Sequence, residues 1–160
     1  MKAVFIGVIT MLLFGCNNKG KTIPSFEYSS LAGENISSEH LKGKATVIAV
    51  WATWCGDCIR EIPELNQLVE KYNGNDNVEF LAFSDEDEAT VNKSLKRFPF
   101  NFKHLVNTKS YTDKLKTGVV KHFPQVIVVN DKLEVVFDVT ENKEPIFDIL
   151  DAEIQKIITK

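Results

Sequence analysis

The sequence predicts an α/β domain built on a central mixed sheet flanked by helices, and three observations carry that prediction. The first is a succession of three segments. A continuously apolar run over residues 45–51 meets an amphipathic segment with Ile59, Ile62, Leu65, Leu68, Val69 and Tyr72 at helical spacing, and a second apolar run, Val78–Phe83, follows. Strand, helix and strand in that order give a parallel pair with a right-handed crossover. The second is the pair of apolar segments at 125–129 and 134–139 around the turn Asn130-Asp131-Lys132, which predicts antiparallel neighbours. The third is the last segment, 145–158, whose Ile146, Ile149, Leu150, Ile154, Ile157 and Ile158 recur at helical spacing. At 160 residues, 44% of them hydrophobic, the chain supports one domain with a real core rather than two.

The chain opens on what reads as an export signal. Residues 1–15 carry one early charge, Lys2, and then an apolar run too short to span a bilayer as a permanent helix. Leu13-Phe14-Gly15-Cys16 resembles the bacterial lipobox, in which the signal is cut before the cysteine and that cysteine is acylated. Phe14 departs from the small or β-branched residue usual there. The expected organisation is a lipoprotein signal peptide over 1–15, a polar tether over 16–24 and a folded domain over 25–160, with Cys16 as the lipidation site. The domain would then be extracytoplasmic, on the periplasmic side, and anchored to the membrane through lipid on Cys16; each buried methylene adds about 0.8 kcal/mol. The alternatives are an ordinary secretory signal or an uncut anchor, with Cys16 a spare thiol.

Two apolar spots, around Phe26 and Tyr28 and at Leu31 and Ile36, flank Gly33-Glu34-Asn35 and predict a small edge hairpin as an N-terminal extension. Ser37 then caps one helical turn that ends at Gly43. The run at 46–51 has no polar face, so it is a central strand covered by helices on both sides. Pro63 interrupts the next helix and should kink it, and Gly74-Asn75-Asp76-Asn77 makes a turn. The acidic run at 84–88 suits a helix start, with Val91, Leu95 and Phe98 on one face of the helix that follows. A short third strand is expected at 103–106 and a short helix at 111–116, before Gly118.

The formal net charge of −3, with both signs interspersed, lacks the basic footprint of a nucleic-acid binder. There is no Gly-x-Gly-x-x-Gly after any predicted strand, so neither NAD nor flavin is expected, and no other cofactor or metal is needed. The chemistry points instead to Trp54-Cys55-Gly56-Asp57-Cys58, where the central strand gives way to a helix. The first turn of a helix presents unpaired N–H groups and the positive end of its dipole, which stabilise a thiolate. Cys55 is therefore the expected nucleophile. Cys58, one turn further in, is close enough to close a disulfide on Cys55 and is expected to be the more buried. With Cys16 assigned to lipid, no third thiol interferes with this dithiol switch.

Trp51-Ala52-Thr53-Trp54-Cys55-Gly56-Asp57-Cys58, with Pro63 five residues after the second cysteine and Pro124 opening a late strand, resembles the thioredoxin superfamily. The export signal, the N-terminal extension and the segment inserted before the Pro124 strand narrow the resemblance to membrane-tethered TlpA/ResA-like thiol:disulfide oxidoreductases, over about residues 25–160. The resemblance implies a thioredoxin-like fold with a cis bond before Pro124, lying against the cysteine pair, and a Phe123 backbone that pairs with the substrate. Family members often carry Thr or Val at this place; Phe123 is expected to cover the sulfurs or restrict what docks. Ala49 stands where cytoplasmic thioredoxins carry a buried Asp that handles the proton of the second cysteine. Glu86 matches a glutamate used near the active site of the ResA-like group and is the expected proton acceptor for Cys58, the alternative being a solvated helix-start carboxylate. Asp57 stands where Pro is common, and its charge is expected to raise the Cys55 pKa and favour a reducing poise.

The function expected is reduction of disulfides in client proteins, such as apocytochrome c in cytochrome c biogenesis or another secreted thiol protein, with electrons supplied by a donor thiol protein. Trp54 is expected as a partly exposed wall of the site and Trp51 as core. Three rivals are weaker. A purely structural disulfide would close a tiny loop and stabilise little. A thioredoxin-like copper-binding chaperone would use both cysteines and a distant histidine, here His122, but usually spaces its cysteines by three residues. A thiol peroxidase wants Pro-x-x-x-Thr-x-x-Cys, which the residues around Thr53 do not supply. His40 and His104 are expected as surface or partly buried side chains.

Overall fold

A computed structural model of the chain describes residues 21–115, 123–139 and 145–159. The expected signal peptide, Cys16, Gly118 and His122 lie outside these residues. The elements are β1 (Glu27–Ser29), β2 (Asn35–Ser37), a 3-10 turn (Ser38–Leu41), β3 (Ala45–Val50), α1 (Gly56–Lys71), β4 (Val78–Phe83), α2 (Glu88–Leu95), β5 (Lys103–Leu105), α3 (Lys109–Leu115), β6 (Gln125–Val129), β7 (Val135–Asp138) and α4 (Ile146–Ile158). Five strands form one sheet in the order β5-β4-β3-β6-β7, and β1 with β2 forms a separate hairpin. β4 runs parallel to β3 and β5 parallel to β4, whereas β6 and β7 are antiparallel to their neighbours. The mixed α/β sheet expected from the sequence is the one observed. Among the described residues no helix is long and apolar enough to cross a membrane.

All six residues of β3 are buried, which is why that run has no polar face. Its alternate side chains feed two cores. Val47 and Ala49 join Leu65 and Leu68 of α1 and Leu150 and Ile154 of α4. Ile48 and Val50 face Phe26, Leu41, Tyr111 and Leu115 on the other side. The second face is thus covered by α3 together with the N-terminal segment, whose Phe26 and Ile36 are part of the core. Packing also starts ahead of Ser25. Ile23 is buried, its N–H donates to the Leu133 carbonyl at 2.9 Å, and the Val135 N–H donates to the Lys21 carbonyl at 3.0 Å. Polar composition marks 16–24 as a tether, but the unpaired margin of β7 offers Lys21 and Ile23 backbone partners that composition does not reveal.

α1 continues through Pro63 as one helix. α1 and α4 are joined by polar contacts. The Glu64 carboxylate accepts from the Phe147 N–H at 3.1 Å, and Tyr72 donates to Asp151 at 2.7 Å while accepting from Gln155 at 2.8 Å.

His104, expected at the surface or partly buried, is buried in β5 with its ring edge-on to Trp51 and Phe100. Its Nε2 lies 2.8 Å from the Phe100 carbonyl oxygen, so the neutral ring carries its proton there, and the buried Nδ1 has no partner. Burial holds its pKa below the usual 6.5. Because the folded state resists protonation while the unfolded chain accepts it, the stability is intact above about pH 6.5 and declines as the pH falls below it, by up to about 1.4 kcal/mol per pH unit. Urea unfolding at pH 7.5 and 5.5 checks this: His104→Gln should lose part of the difference between the two.

Candidate active site

β3 delivers the chain to the site. The Trp51 N–H donates to the Phe83 carbonyl at 3.0 Å, extending the β3–β4 pairing by one residue, and the Cys55 N–H donates to the Ala52 carbonyl at 3.1 Å to close a turn. Cys55 is the N-cap of α1, and its Sγ accepts the Cys58 N–H at 3.1 Å. A side chain in this place satisfies one of the four orphan donors of a helix start. A thiolate at Cys55 would meet the same N–H and the positive helix end, which is the setting that lowers a thiol pKa.

Cys55 and Cys58 are joined as a disulfide with their Cα atoms 5.3 Å apart. Cys58 is the more buried, as expected, but by little: Cys55 is 5% exposed and Cys58 3%. Both sit at the rim of the core formed with Ala49, Ala52, Ile62 and Val126. The peptide between Phe123 and Pro124 is cis. It opens β6, whose Gln125 is in register with Val50, so the cis bond lies at the same end of the sheet as the cysteines. Trp54 is 70% exposed and meets Phe123 edge-on, ring centroids 5.5 Å apart. The two rings form an aromatic wall at this end. Trp51 is core.

Asp57 is paired with Arg60 at 2.6 Å, and both side chains are exposed. With a cation beside it and water around it, the influence of Asp57 on Cys55 is smaller than its position in the motif suggests. Glu86 lies in the loop between β4 and α2. Its Oε2 accepts from the Thr53 N–H at 2.7 Å and from the Ser84 hydroxyl at 3.2 Å, and its Oε1 accepts from the Thr53 hydroxyl at 2.6 Å. Its carboxylate hydrogen bonds therefore go to Thr53 and Ser84, and none goes to a cysteine.

One residue escaped the sequence reading. Glu61 follows Cys58 by three positions on α1, so the two side chains share a helix face. It is half-buried and its Oε2 is buried without a hydrogen-bond partner. Burial, with the charges of Asp57 and Glu64, pushes its pKa up to about 7 against the opposing pull of Arg60. The signal was present in the sequence, since Asp57, Glu61 and Glu64 repeat at helical spacing and place like charges together.

A mixed sheet with a Cys-x-x-Cys disulfide at the mouth of its central helix and a cis proline opening the neighbouring strand defines a thioredoxin-like protein. The chain is similar to the thioredoxin domain of a thiol-disulfide oxidoreductase from Bacteroides vulgatus, with a TM-score of 0.71 and 19% identity over 85% of this chain and 97% of that one. It is also similar to a thiol:disulfide interchange protein of the thioredoxin family from Chlorobium tepidum, with a TM-score of 0.70 and 20% identity over 87% and 99%. At these identities the likeness establishes the fold. The sequence pattern of the AhpC/TSA family matches residues 19–137. The chain belongs to that family, as a TlpA/ResA-like member: it is 30% identical over 130 residues to the thiol-disulfide oxidoreductase ResA of Geobacillus thermodenitrificans, covering 79% of this chain and 73% of that protein. ResA of Bacillus cereus is 37% identical over 84 residues, 52% of this chain and 48% of the relative. The chain thus spans about half the length of these Bacillus relatives.

Proposed function

We propose that the protein is an extracytoplasmic thiol:disulfide oxidoreductase that reduces disulfides in client proteins. The observation that carries this reading is Cys55 as the N-cap of α1, its sulfur on the Cys58 N–H and bonded to Cys58, at the same end of the sheet as the cis proline. In the reduced form the Cys55 thiolate attacks one sulfur of a client disulfide, forming a mixed disulfide as the other client sulfur leaves as a thiolate. Cys58 then gives up its proton and attacks Cys55 Sγ, releasing the second client thiolate and leaving the disulfide seen here. Two electrons pass to the client, and a donor thiol protein must return them. Glu61 is the proton acceptor best suited to Cys58, being on the same helix face and having a free, buried oxygen. Phe123 and Trp54 border the client's approach, and the backbone before Pro124 supplies pairing groups.

Placement outside the cytoplasm, on lipid at Cys16, is supported by the apolar run after Lys2 and by Leu13-Phe14-Gly15-Cys16. Clients are disulfide-bearing proteins of that compartment, apocytochrome c among them. The reductive direction is tested by equilibrating the Cys55–Cys58 pair against glutathione: a potential well below about −200 mV agrees with a reductase, and one near −120 mV reverses the direction.

The acceptor role makes a pH prediction. Client reduction should accelerate as the pH rises through about 7, where Glu61 loses its proton. Glu61→Gln should flatten that limb and slow the resolving step by about a hundredfold. The same raised pKa means that the folded state is penalised as the pH climbs from about 4.5 to 7, so the Gln variant should gain stability at pH 8. Stopped-flow reduction of a model disulfide and urea unfolding check the two halves.

A further inference from the structure

We infer that Glu86 is a positioning residue: through Thr53 it holds the turn that carries Trp54 and Cys55, making no hydrogen bond to either cysteine. Thr53 lies between β3 and α1, outside both, so neither element supplies a partner for its N–H. Glu86 takes that N–H with one carboxylate oxygen, at 2.7 Å, and the Thr53 hydroxyl with the other, at 2.6 Å. An ionised carboxylate accepts from both donors in charge-assisted hydrogen bonds; an amide could take the N–H on its oxygen but would have to donate its NH2 to the hydroxyl, which weakens both contacts. The carboxylate therefore holds Thr53 more strongly than an amide would, independently of any proton transfer.

The same loop holds the facing side of the fold. The Glu86 carbonyl accepts from the Asn107 N–H at 2.9 Å, and Asn107 itself adopts a left-handed backbone, φ 55°. The Ser84 carbonyl accepts from the Thr108 N–H at 3.1 Å and the Thr108 hydroxyl at 2.9 Å. The Thr112 hydroxyl donates to Asp85 at 2.5 Å. Residues 84–86 thus grip the cysteine turn with one hand and the start of α3 with the other. What they set is the place of Cys55 Sγ relative to the Cys58 N–H, the contact that stabilises a thiolate there.

The role has a sign that separates it from a charge effect. A carboxylate near Cys55 disfavours a second negative charge, so removing it for its charge alone would lower the Cys55 pKa and speed alkylation. Losing the positioning does the opposite. The test is the rate of iodoacetamide alkylation of Cys55 in the reduced full chain, measured against pH for wild type, Glu86→Gln, Thr53→Val, Thr53→Ser and the double variant Thr53→Val with Glu86→Gln. Glu86→Gln and Thr53→Val should each slow alkylation below the thiol pKa by about three- to tenfold. The double variant should be no slower than Glu86→Gln, and Thr53→Ser, which keeps the hydroxyl donor, should restore the wild-type rate. Faster alkylation in Glu86→Gln, a wild-type rate in Thr53→Val, or additive losses would each overturn the inference. If Glu86→Gln does not fold, the contrast between Thr53→Val and Thr53→Ser decides alone. The purpose of this clamp rests on the oxidoreductase reading, yet alkylation needs no client. A protein that alkylates as described but reduces nothing would sink that reading and leave the clamp standing.

Discussion

A client disulfide presented to reduced Cys58→Ser is expected to stay attached to Cys55 as a mixed disulfide that survives non-reducing electrophoresis. The reason is positional. Cys55 caps the helix and its sulfur meets the Cys58 N–H, so the serine variant still has the activated sulfur. Cys58 is the third residue within α1, buried in the core and bonded to Cys55. A hydroxyl in its place cannot displace a sulfur from the mixed disulfide. Cys55→Ser should instead form no adduct, because the remaining thiol is the more buried of the two. Multiple turnover should fall by at least about a thousandfold in either variant, since the two sulfurs act as a unit. Adducts with Cys55→Ser and none with Cys58→Ser would exchange the two roles.

Phe26→Ala should destabilise the domain by about 3–5 kcal/mol, as large-to-small substitutions of buried aromatic residues do. Phe26 comes from the segment just before β1, and its ring meets Phe83 edge-on with centroids 5.2 Å apart and Tyr111 at 4.9 Å. It belongs to the core that covers the Ile48 and Val50 face of β3. Removing it opens a cavity against the central strand, and the surrounding rings can close only part of it. Such a loss is a large fraction of the roughly 5–15 kcal/mol that holds a domain together. Urea unfolding followed by circular dichroism measures it, with exposed Val136→Ala as the control, expected within about 0.5 kcal/mol of wild type. A change below about 1 kcal/mol for Phe26→Ala would make the hairpin a detachable extension.

Much of the architecture was legible from local pattern. A short apolar run rich in β-branched residues suits a strand buried on both faces, and β3 is that; apolar positions at helical spacing marked α1 and α4; Asn130-Asp131-Lys132 marked the reversal between β6 and β7. The cysteine pair at the start of α1 was equally plain, because helix polarity follows from chain direction. Carboxylate roles were not. Four neighbouring acids at 85–88 look alike in the sequence, and only the fold turns one of them toward Thr53, a residue 33 positions away. Glu61 was passed over because a charged residue on an amphipathic helix is ordinarily solvated; here the packing around it leaves one oxygen dry.

By itself, then, the order of residues determined which segments are strands and helices, how the central ones pair, and that two thiols meet where a helix begins. These depend on periodicity and chain direction, which are local properties. Only the tertiary structure decided that the N-terminal hairpin completes a core, that His104 is dry, that Cys55 is covered in the disulfide, and that Glu86 holds Thr53 while Glu61 keeps a free oxygen. Those depend on what lies across from each side chain, and burial, hydrogen bonding and proton affinity are set by neighbours brought together from distant parts of the chain.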